Sequence, residues 1–516
     1  MFARFGWGLP RFLRTTLTLD DSRKLLQQQL RAREQTWLRV VEEAVFGNPG
    51  SPYGALFRWA GIEFGDLAAL VRDRGLEGAL EQLREAQVYV SLEEFKGRRP
   101  IERGTHSLAV RAEDFDSPLT TKHFEARTGG SRGPARRLAL DLDLLVSDAA
   151  ARAIFKQGFD LWGRPMAVWR PCPPDASGLK RALEQAKLGG RVDIWFSQNP
   201  LELWKPWLFT WSAVWTGRLC GKAIAAPRHT PLEQAVRVAH WLAEQKKAGR
   251  PALLETLVSS AMRVCGAARQ HGLDIAGTFI RVGGEPLIEA QVRLAQDTGC
   301  RVRCTYAMSE CGPLAMPCAE PTGFDDMHLL ANKVAVIQRP RPGGPDGAGA
   351  GAFHVTTLLP SCPKIMLNVE NGDYGEMEAR HCGCPFGELG LRRHLHTIRS
   401  YEKLTTEGMH FLGSELLALV AEVLPAQFGG SSSDYQLVAD HQDGLPKVSV
   451  VASPRLGPLQ EALVIEKVLE YLGSRSGAHR MMAGLWRDGR ALRVVRREPY
   501  MTSAAKVQAL HVVERT

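Results

Sequence analysis

The sequence predicts an α/β protein in two units: a large N-terminal unit with helices covering a sheet, and a small α+β unit at the C-terminus. Three observations predict it. At 516 residues the chain exceeds one ordinary compact domain. Its middle third alternates helical patterns (residues 232–247 and 251–271) with short apolar strand-like runs (277–282 and 301–306). Near Arg399 the character shifts, and beyond it two strand patterns, 435–439 and 447–452, flank a helical one, 458–472.

Residues 25–46 are periodic in Leu, Trp and Val with charges between, as an amphipathic helix requires. A turn follows at Asn48-Pro49-Gly50-Ser51-Pro52, then two short helical patterns at 53–60 and 66–72. A Gly- and Arg-rich segment, 127–137, precedes a strand-like run at 138–146. The tryptophan-rich stretch 201–220 is interrupted by Lys205, Pro206 and Arg218, so it reads as a buried helix wall rather than a membrane span. Residues 339–351, rich in Pro and Gly, read as a surface loop.

Composition narrows the function. Hydrophobic content of 44% and charged content of 23% exclude wholesale disorder. Sixty-five Lys and Arg against 56 Asp and Glu give +9, a balance that suits polyanionic ligands. No zinc-finger, RNP or helix-turn-helix pattern accompanies it, so no nucleic-acid partner is expected. Ten cysteines are too few for a disulfide scaffold, and their clustering in the second half points to metal or pocket chemistry in a reducing compartment. Residues 1–18 carry Arg4, Arg11 and Arg14 but no sustained apolar core or cleavage site. The expectation is a cytoplasmic protein with no membrane partner.

Four motifs carry chemistry. Thr128-Gly129-Gly130-Ser131-Arg132-Gly133 combines glycines that turn amides toward a ligand with hydroxyl and guanidinium donors; a flexible surface loop has the same composition. Val282-Gly283-Gly284-Glu285-Pro286 ends an apolar strand, where an α/β fold admits a ligand, and Tyr306-Ala307-Met308-Ser309-Glu310 follows. There a tyrosine can stack on a base and a glutamate can hold Mg²⁺ against phosphates. Asn371-Gly372-Asp373, with Arg399 and Gly408, offers a carboxylate and a guanidinium for hydroxyls or phosphates, although in isolation it is a turn. Thr502-Ser503-Ala504-Ala505-Lys506 ends the series.

Together, in this order, the motifs resemble the adenylate-forming superfamily and specifically its phenylacetate–CoA ligase branch. The family's T-S-G-T-T-G phosphate loop is matched by Thr128 to Gly133, its Gly-Gly-Glu by Gly283 to Glu285, and its Tyr-Gly-x-Thr-Glu by Tyr306 to Glu310. Its Gly-Asp is matched by Gly372 and Asp373, its hinge segment by Arg399 to Leu404, and its terminal Ser-Gly-Lys by Ser503 to Lys506 with one extra residue. Gly129, Arg132, Ala307, Val369 and Tyr401 depart from the family pattern and mark a divergent subgroup.

The resemblance implies a large AMP-binding domain over residues 1–399, with layered mixed sheets, and a small mobile C-terminal lid over 400–516. It implies ATP, Mg²⁺ and CoA, a carboxylic-acid substrate, and CoA or an acyl carrier protein as acceptor, with a homodimer among the expectations. Thr128, Gly129, Gly130, Ser131, Arg132 and Gly133 would hold the β,γ-phosphates, and Gly284 and Glu285 the adenine pocket. Tyr306 would stack on adenine, Ser309 would face the α-phosphate or carboxylate, and Glu310 would hold Mg²⁺. Asp373 and Arg399 would bind ribose, and Lys506 would bridge carboxylate and phosphate. If one face of the helix carrying Trp204, Trp207, Trp211 and Trp215 lines the pocket, a flat aromatic acid would suit it.

Cys318, His328, Cys382 and Cys384 form a further constellation: three thiols and an imidazole suit tetrahedral zinc, and Gly383 and Pro385 favour the tight Cys-x-Cys turn. Some members of the resembled branch carry a similar structural set. Cys311 and His381 are the neighbouring substitutes.

Overall fold

The computed structural model describes residues 2–121, 124–127, 137–173, 175, 177–199, 204–339, 351–400, 405–406, 409–410, 418–442, 445–474, 492–501, 507 and 509–512. Its centre is a 12-stranded sheet. From one edge to the other the strands are Val334–Arg339, Ala352–Thr357, Val369–Ala379, Arg393–Ser400, Met327–Leu329, Gly312–Pro317, Arg301–Met308, Phe279–Gly283, Leu253–Thr256, Met166–Trp169, Ile194–Ser197 and Pro227–His229. Arg301–Met308 is the seam. It pairs parallel with Phe279–Gly283 and antiparallel with Gly312–Pro317. Every pairing on the first side is parallel and every one on the other antiparallel.

The parallel half follows from crossover logic: parallel neighbours need long connections, and helices supply them. Ser177–Lys187, Trp204–Leu219, Ala235–Lys247, Val258–Gln270 and Glu289–Asp297 each lie between successive strands of this half. Strands covered on both faces read as continuous apolar runs, and period two decides which cluster each residue joins. Met166 and Val168 pack with the N-terminal helices, whereas Ala167 and Trp169 pack with the opposite cluster. The sheet's two edges differ. Pro227–His229 is three residues long and begins with proline, while Val334–Arg339 lies beside helix Phe64–Glu85, to which Arg339 is bonded through Glu85 at 2.9 Å.

Several elements differ from the sequence reading. Residues 251–271 are not one helix. Leu253–Thr256 is a buried strand and the helix is Val258–Gln270, because a four-residue segment is too short for periodicity to tell a buried strand from a helix turn. The run 138–146 divides likewise: strand Arg137–Leu140 ends at Asp141, whose side chain accepts from the Asp143 amide and opens helix Leu142–Gly158. Residues 25–46 fall into helices Leu19–Arg31 and Arg33–Val41 and a π-turn, Glu42–Phe46.

A buried ion network lies between the sheet and helices Leu142–Gly158 and Ser177–Lys187. Arg152 donates to Glu184 at 2.7 and 2.9 Å and to Glu255, and Arg281 donates to Glu255 at 3.2 Å and to the Thr305 hydroxyl at 2.9 Å. Burial alone would raise the Glu255 carboxyl, but Arg152, Arg281 and Arg181 outweigh it and hold it well below the ordinary carboxylate range. Burial also brings Arg281 down to about 9 despite Glu255.

A four-stranded sheet, Leu492–Arg496, Leu445–Ala452, Tyr435–Gln442 and Leu510–Val512 in that order, packs on helix Glu461–Gly473. It has its own core, with Leu437, Val450, Val464, Leu469 and Leu472 among its members.

Candidate functional site

In open α/β sheets, ligands bind beyond the carboxyl ends of the strands, where strand order reverses. Here the chain runs outward from Met166–Trp169 in one direction through Ile194–Ser197 and in the other through Leu253–Thr256, so the switch lies between Trp169 and Thr256. Arg170, just past the first strand, donates from Nη2 to the Thr256 carbonyl at 2.5 Å. Burial, and then Arg181, lowers it to about 10. The sequence reading did not single out Arg170; its only signal is a charged residue directly after an all-apolar run.

Along the same edge, strand Phe279–Gly283 delivers Gly284, whose φ of +87° is a conformation side chains resist. A Cβ on Gly283 would stand 2.9 Å from the Thr305 carbonyl, so both glycines are sterically required. Glu285 accepts from the Ser259 amide at 2.6 Å and hydroxyl at 2.9 Å, capping the first turn of helix Val258–Gln270. Its carboxylate is thus bonded to the scaffold beside this strand end.

The seam strand carries Tyr306, whose phenol donates to Asp373 Oδ2 at 2.8 Å and accepts from Asn371 Nδ2 at 2.6 Å. Burial, then the Asp373 carboxylate, pushes this phenol well above its ordinary value, so it stays a donor. Asn371-Gly372-Asp373 is not a terminal turn but an irregularity inside the 11-residue strand Val369–Ala379, with φ +77° at Gly372 and the Asp373 amide donating to Asn371 Oδ1 at 3.1 Å. Asp373 stands opposite Ser400 and Tyr374 opposite Arg399, so the Arg399 backbone lies one strand from the Asp373 carboxylate. Ser309 and Glu310 occupy the half-buried turn between Arg301–Met308 and Gly312–Pro317. Thr128 to Gly133 and Lys506 lie outside the described residues, as does the Arg399 side chain.

The cysteine–histidine set converges. Ligand atoms of Cys318, His328, Cys382 and Cys384 all lie within 4.8 Å of one another. Cys318 and Cys382 sulfurs are 3.8 Å apart, and His328 Nε2 is 3.4 Å from the Cys382 sulfur and 3.0 Å from that of Cys384. Zn–S bonds of about 2.3 Å at tetrahedral angles space sulfurs about 3.8 Å apart, so this donor set fits zinc. His328 Nδ1 lies 2.7 Å from the Leu391 carbonyl, an outer contact that leaves Nε2 facing the thiols. Cys311 is buried outside this quartet and His381 is exposed, so neither substitutes. Asp326, His394 and Arg380, which the sequence did not single out, form an adjoining cluster: His394 Nδ1 lies 2.7 Å from Asp326, and Arg380 is bonded to the same carboxylate.

No family model matches the chain, and no curated protein matches it. Among solved structures, 2-hydroxyisobutyryl-CoA ligase, in the postadenylation state in complex with 2-HIB-AMP, matches over 97% of this chain and 91% of its own at 15% identity, with a TM-score of 0.51. The chain has the adenylate-forming fold. Two further similar structures are the amide bond synthetase McbA from Marinactinospora thermotolerans (12% identity, 97% and 98% covered, TM-score 0.41) and McyG A-PCP complexed with phenylalanyl-adenylate (13%, 84% and 63%, 0.44). Within its adenylate-forming fold the chain brings together Tyr306, Asn371 and Asp373, and separately joins Glu285 to Ser259 beside the switch point. The tryptophan helix is not the buried wall expected from sequence: Trp207 and Trp215 face solvent, because the helix buries Ala213 and Val214 instead.

Proposed function

We propose that the chain activates a carboxylic acid with ATP, forming acyl-AMP and pyrophosphate, and then passes the acyl group to a thiol, CoA foremost, as in the phenylacetate–CoA ligase branch. The observation that carries this reading is the 2.8 Å bond between Tyr306 and Asp373, which joins two motifs 67 residues apart at the seam of an adenylate-forming fold. Its phenol bound to Asp373, Tyr306 offers its ring face to adenine while fixing the carboxylate that accepts the ribose hydroxyls. Arg399, on the neighbouring strand, serves the same hydroxyls.

In the first step the substrate carboxylate attacks the α-phosphorus and pyrophosphate leaves. Two anions meet, so positioning and charge stabilisation dominate. Thr128, Ser131 and Arg132 hold the β,γ-phosphates, Gly284 lets backbone approach adenine, and Ser309 faces the reacting oxygens. Lys506 bridges carboxylate and phosphate. Glu310 would hold Mg²⁺, which neutralises phosphate charge when bound. The C-terminal unit, from about residue 400, acts as the lid that exchanges faces between the two steps. Cys318, His328, Cys382 and Cys384 would hold a structural zinc; four protein ligands leave no open position for catalysis.

An enzyme cysteine as acyl acceptor has little support, since eight of the ten thiols are buried and Cys382 belongs to the metal quartet, leaving Cys220. The test is acid-dependent ATP–pyrophosphate exchange with a panel of aryl, arylacetic and fatty acids. Exchange with one class supports adenylation, and product formation with free CoA then separates a CoA ligase from a carrier-loading enzyme. Absence of exchange, in folded protein that binds ATP, leaves a nucleotide-binding scaffold instead.

A further inference from the structure

Two neighbouring helices, Phe2–Arg14 and Trp204–Leu219, carry large apolar side chains that no described residue covers. Among the described residues eight large hydrophobic side chains are exposed, and five belong to these helices: Trp7 (87% exposed), Trp207 (49%), Leu208 (48%), Trp215 (57%) and Leu219 (88%). Packing does not require them. The first helix is anchored by Phe5, Leu9, Phe12 and Leu13, and the second by Ala213 and Val214. Phe5 and Phe209 join the two, with ring centroids 4.5 Å apart.

The pattern is ordered on both helices. Trp7, Arg11 and Arg14 fall at i, i+4 and i+7, one solvent-facing line of the first. Leu208, Trp215 and Leu219, at i, i+7 and i+11, make a second line, and the Arg218 guanidinium stands 5.0 Å over the Trp215 ring. Neither helix contains an acidic residue.

We infer that this face docks on an anionic lipid surface. Tryptophan and leucine beside arginine, on a helix lying flat, is the chemistry of the headgroup boundary: rings enter the interface while guanidiniums meet phosphates. Charge separates this occupant from a second copy of the chain, because a two-fold contact would set one arginine line against another with no carboxylate on either helix to pair them. No described helix is long and apolar enough to cross a membrane, so the contact is with the surface. This inference does not rest on the proposed chemistry. It amends the sequence expectation of no membrane partner, which excluded spanning segments and signals but not a surface-lying helix.

The test is flotation of the full chain with vesicles of phosphatidylcholine alone and of phosphatidylcholine with phosphatidylglycerol. The expected result is binding to the anionic vesicles, weakened by salt. The variant Trp7→Ser/Trp215→Ser/Leu219→Ser should bind at least tenfold less. Arg11→Gln/Arg14→Gln/Arg218→Gln should lose about fivefold per arginine. Thermal melting serves as the folding control, and should the apolar variant fail to fold, the arginine variant decides alone. Wild-type protein that stays in the aqueous fraction with anionic vesicles overturns the inference, as does equal binding to phosphatidylcholine alone. A dimer in sedimentation equilibrium that these substitutions abolish, without vesicle binding, would instead make the face a self-association surface.

Discussion

Replacing Glu255 by glutamine removes one negative charge from beneath the sheet while keeping the side chain's shape. Wild-type Glu255 faces Arg152, Arg281 and Arg181, with Glu184 the other carboxylate in the described network. After the substitution one carboxylate meets three guanidiniums. Arg281 suffers most, because its remaining described contacts, the Thr305 hydroxyl, the Met316 sulfur and the Phe155 ring face, are all neutral, and Glu184 reaches it only through space. A buried cation stripped of its partner costs about 3–5 kcal/mol. Against a typical total of about 5–15 kcal/mol, that is a large share of the stability of the unit. The assay is urea unfolding, with Trp169 and Trp195, both buried in the same sheet, as reporters. The double variant Glu255→Gln/Arg281→Met should recover most of the loss, since an apolar side chain of similar volume leaves no orphaned charge. A single variant within about 1 kcal/mol of wild type, or a double variant no better than the single, would refute the reasoning that Glu255 is needed chiefly to neutralise Arg281.

Lys506→Ala should lower acid-dependent ATP–pyrophosphate exchange roughly a hundred- to thousandfold while ATP binding by calorimetry changes little; normal exchange would remove Lys506 from the site. Tyr306→Phe should raise KM for ATP about tenfold by releasing the Asp373 carboxylate, measured in the same exchange assay, and an unchanged KM counts against the ribose assignment. Cys384→Ser should abolish stoichiometric zinc, measured by elemental analysis, and lower Tm sharply, because structural zinc contributes on the order of 10 kcal/mol. Folded wild-type protein free of zinc would contradict it. His354 is held near 4 by burial and by Arg84, which donates to its Nε2 at 3.1 Å. The unfolded imidazole takes its proton from about pH 6.5 downward and the folded one only near 4. Stability should therefore fall as pH drops through that window, by up to about 3 kcal/mol, in urea titrations, and His354→Gln should flatten the slope.

That Cys318, His328, Cys382 and Cys384 would converge was legible in sequence because thiols and imidazoles are chemically rare and two of the four share one turn. Tyr306, Gly284 and Asp373 were legible as short strings, but that Asn371 would hold both the Tyr306 phenol and the Asp373 amide was not, since a bulge inside a strand looks like a turn when read alone. The pairing within the Arg152–Glu255–Arg281 network could not be read: each partner alone resembles a surface residue, and only three-dimensional pairing makes burial tolerable. The one available hint was a charge inside an otherwise apolar run, as in Ala252-Leu253-Leu254-Glu255 and Phe279-Ile280-Arg281-Val282. The tryptophan helix misled for the opposite reason. Residue type predicted burial, whereas small residues occupy its inner stripe.

The two margins of the great sheet have a consequence for the chain's behaviour in a crowded solution. An open strand end-on to solvent is a template for another chain's backbone, and a sheet this wide would be a persistent hazard. At one margin the last strand is three residues with a proline first, too short and too poor in donors to recruit a neighbour. At the other, Val334–Arg339 runs beside helix Phe64–Glu85 and is tied to it through Arg339 and Glu85. Among the described residues neither margin offers a long open strand, so the protein should resist fibril seeding, and an Arg339→Ala/Pro227→Val variant is where that resistance would first fail.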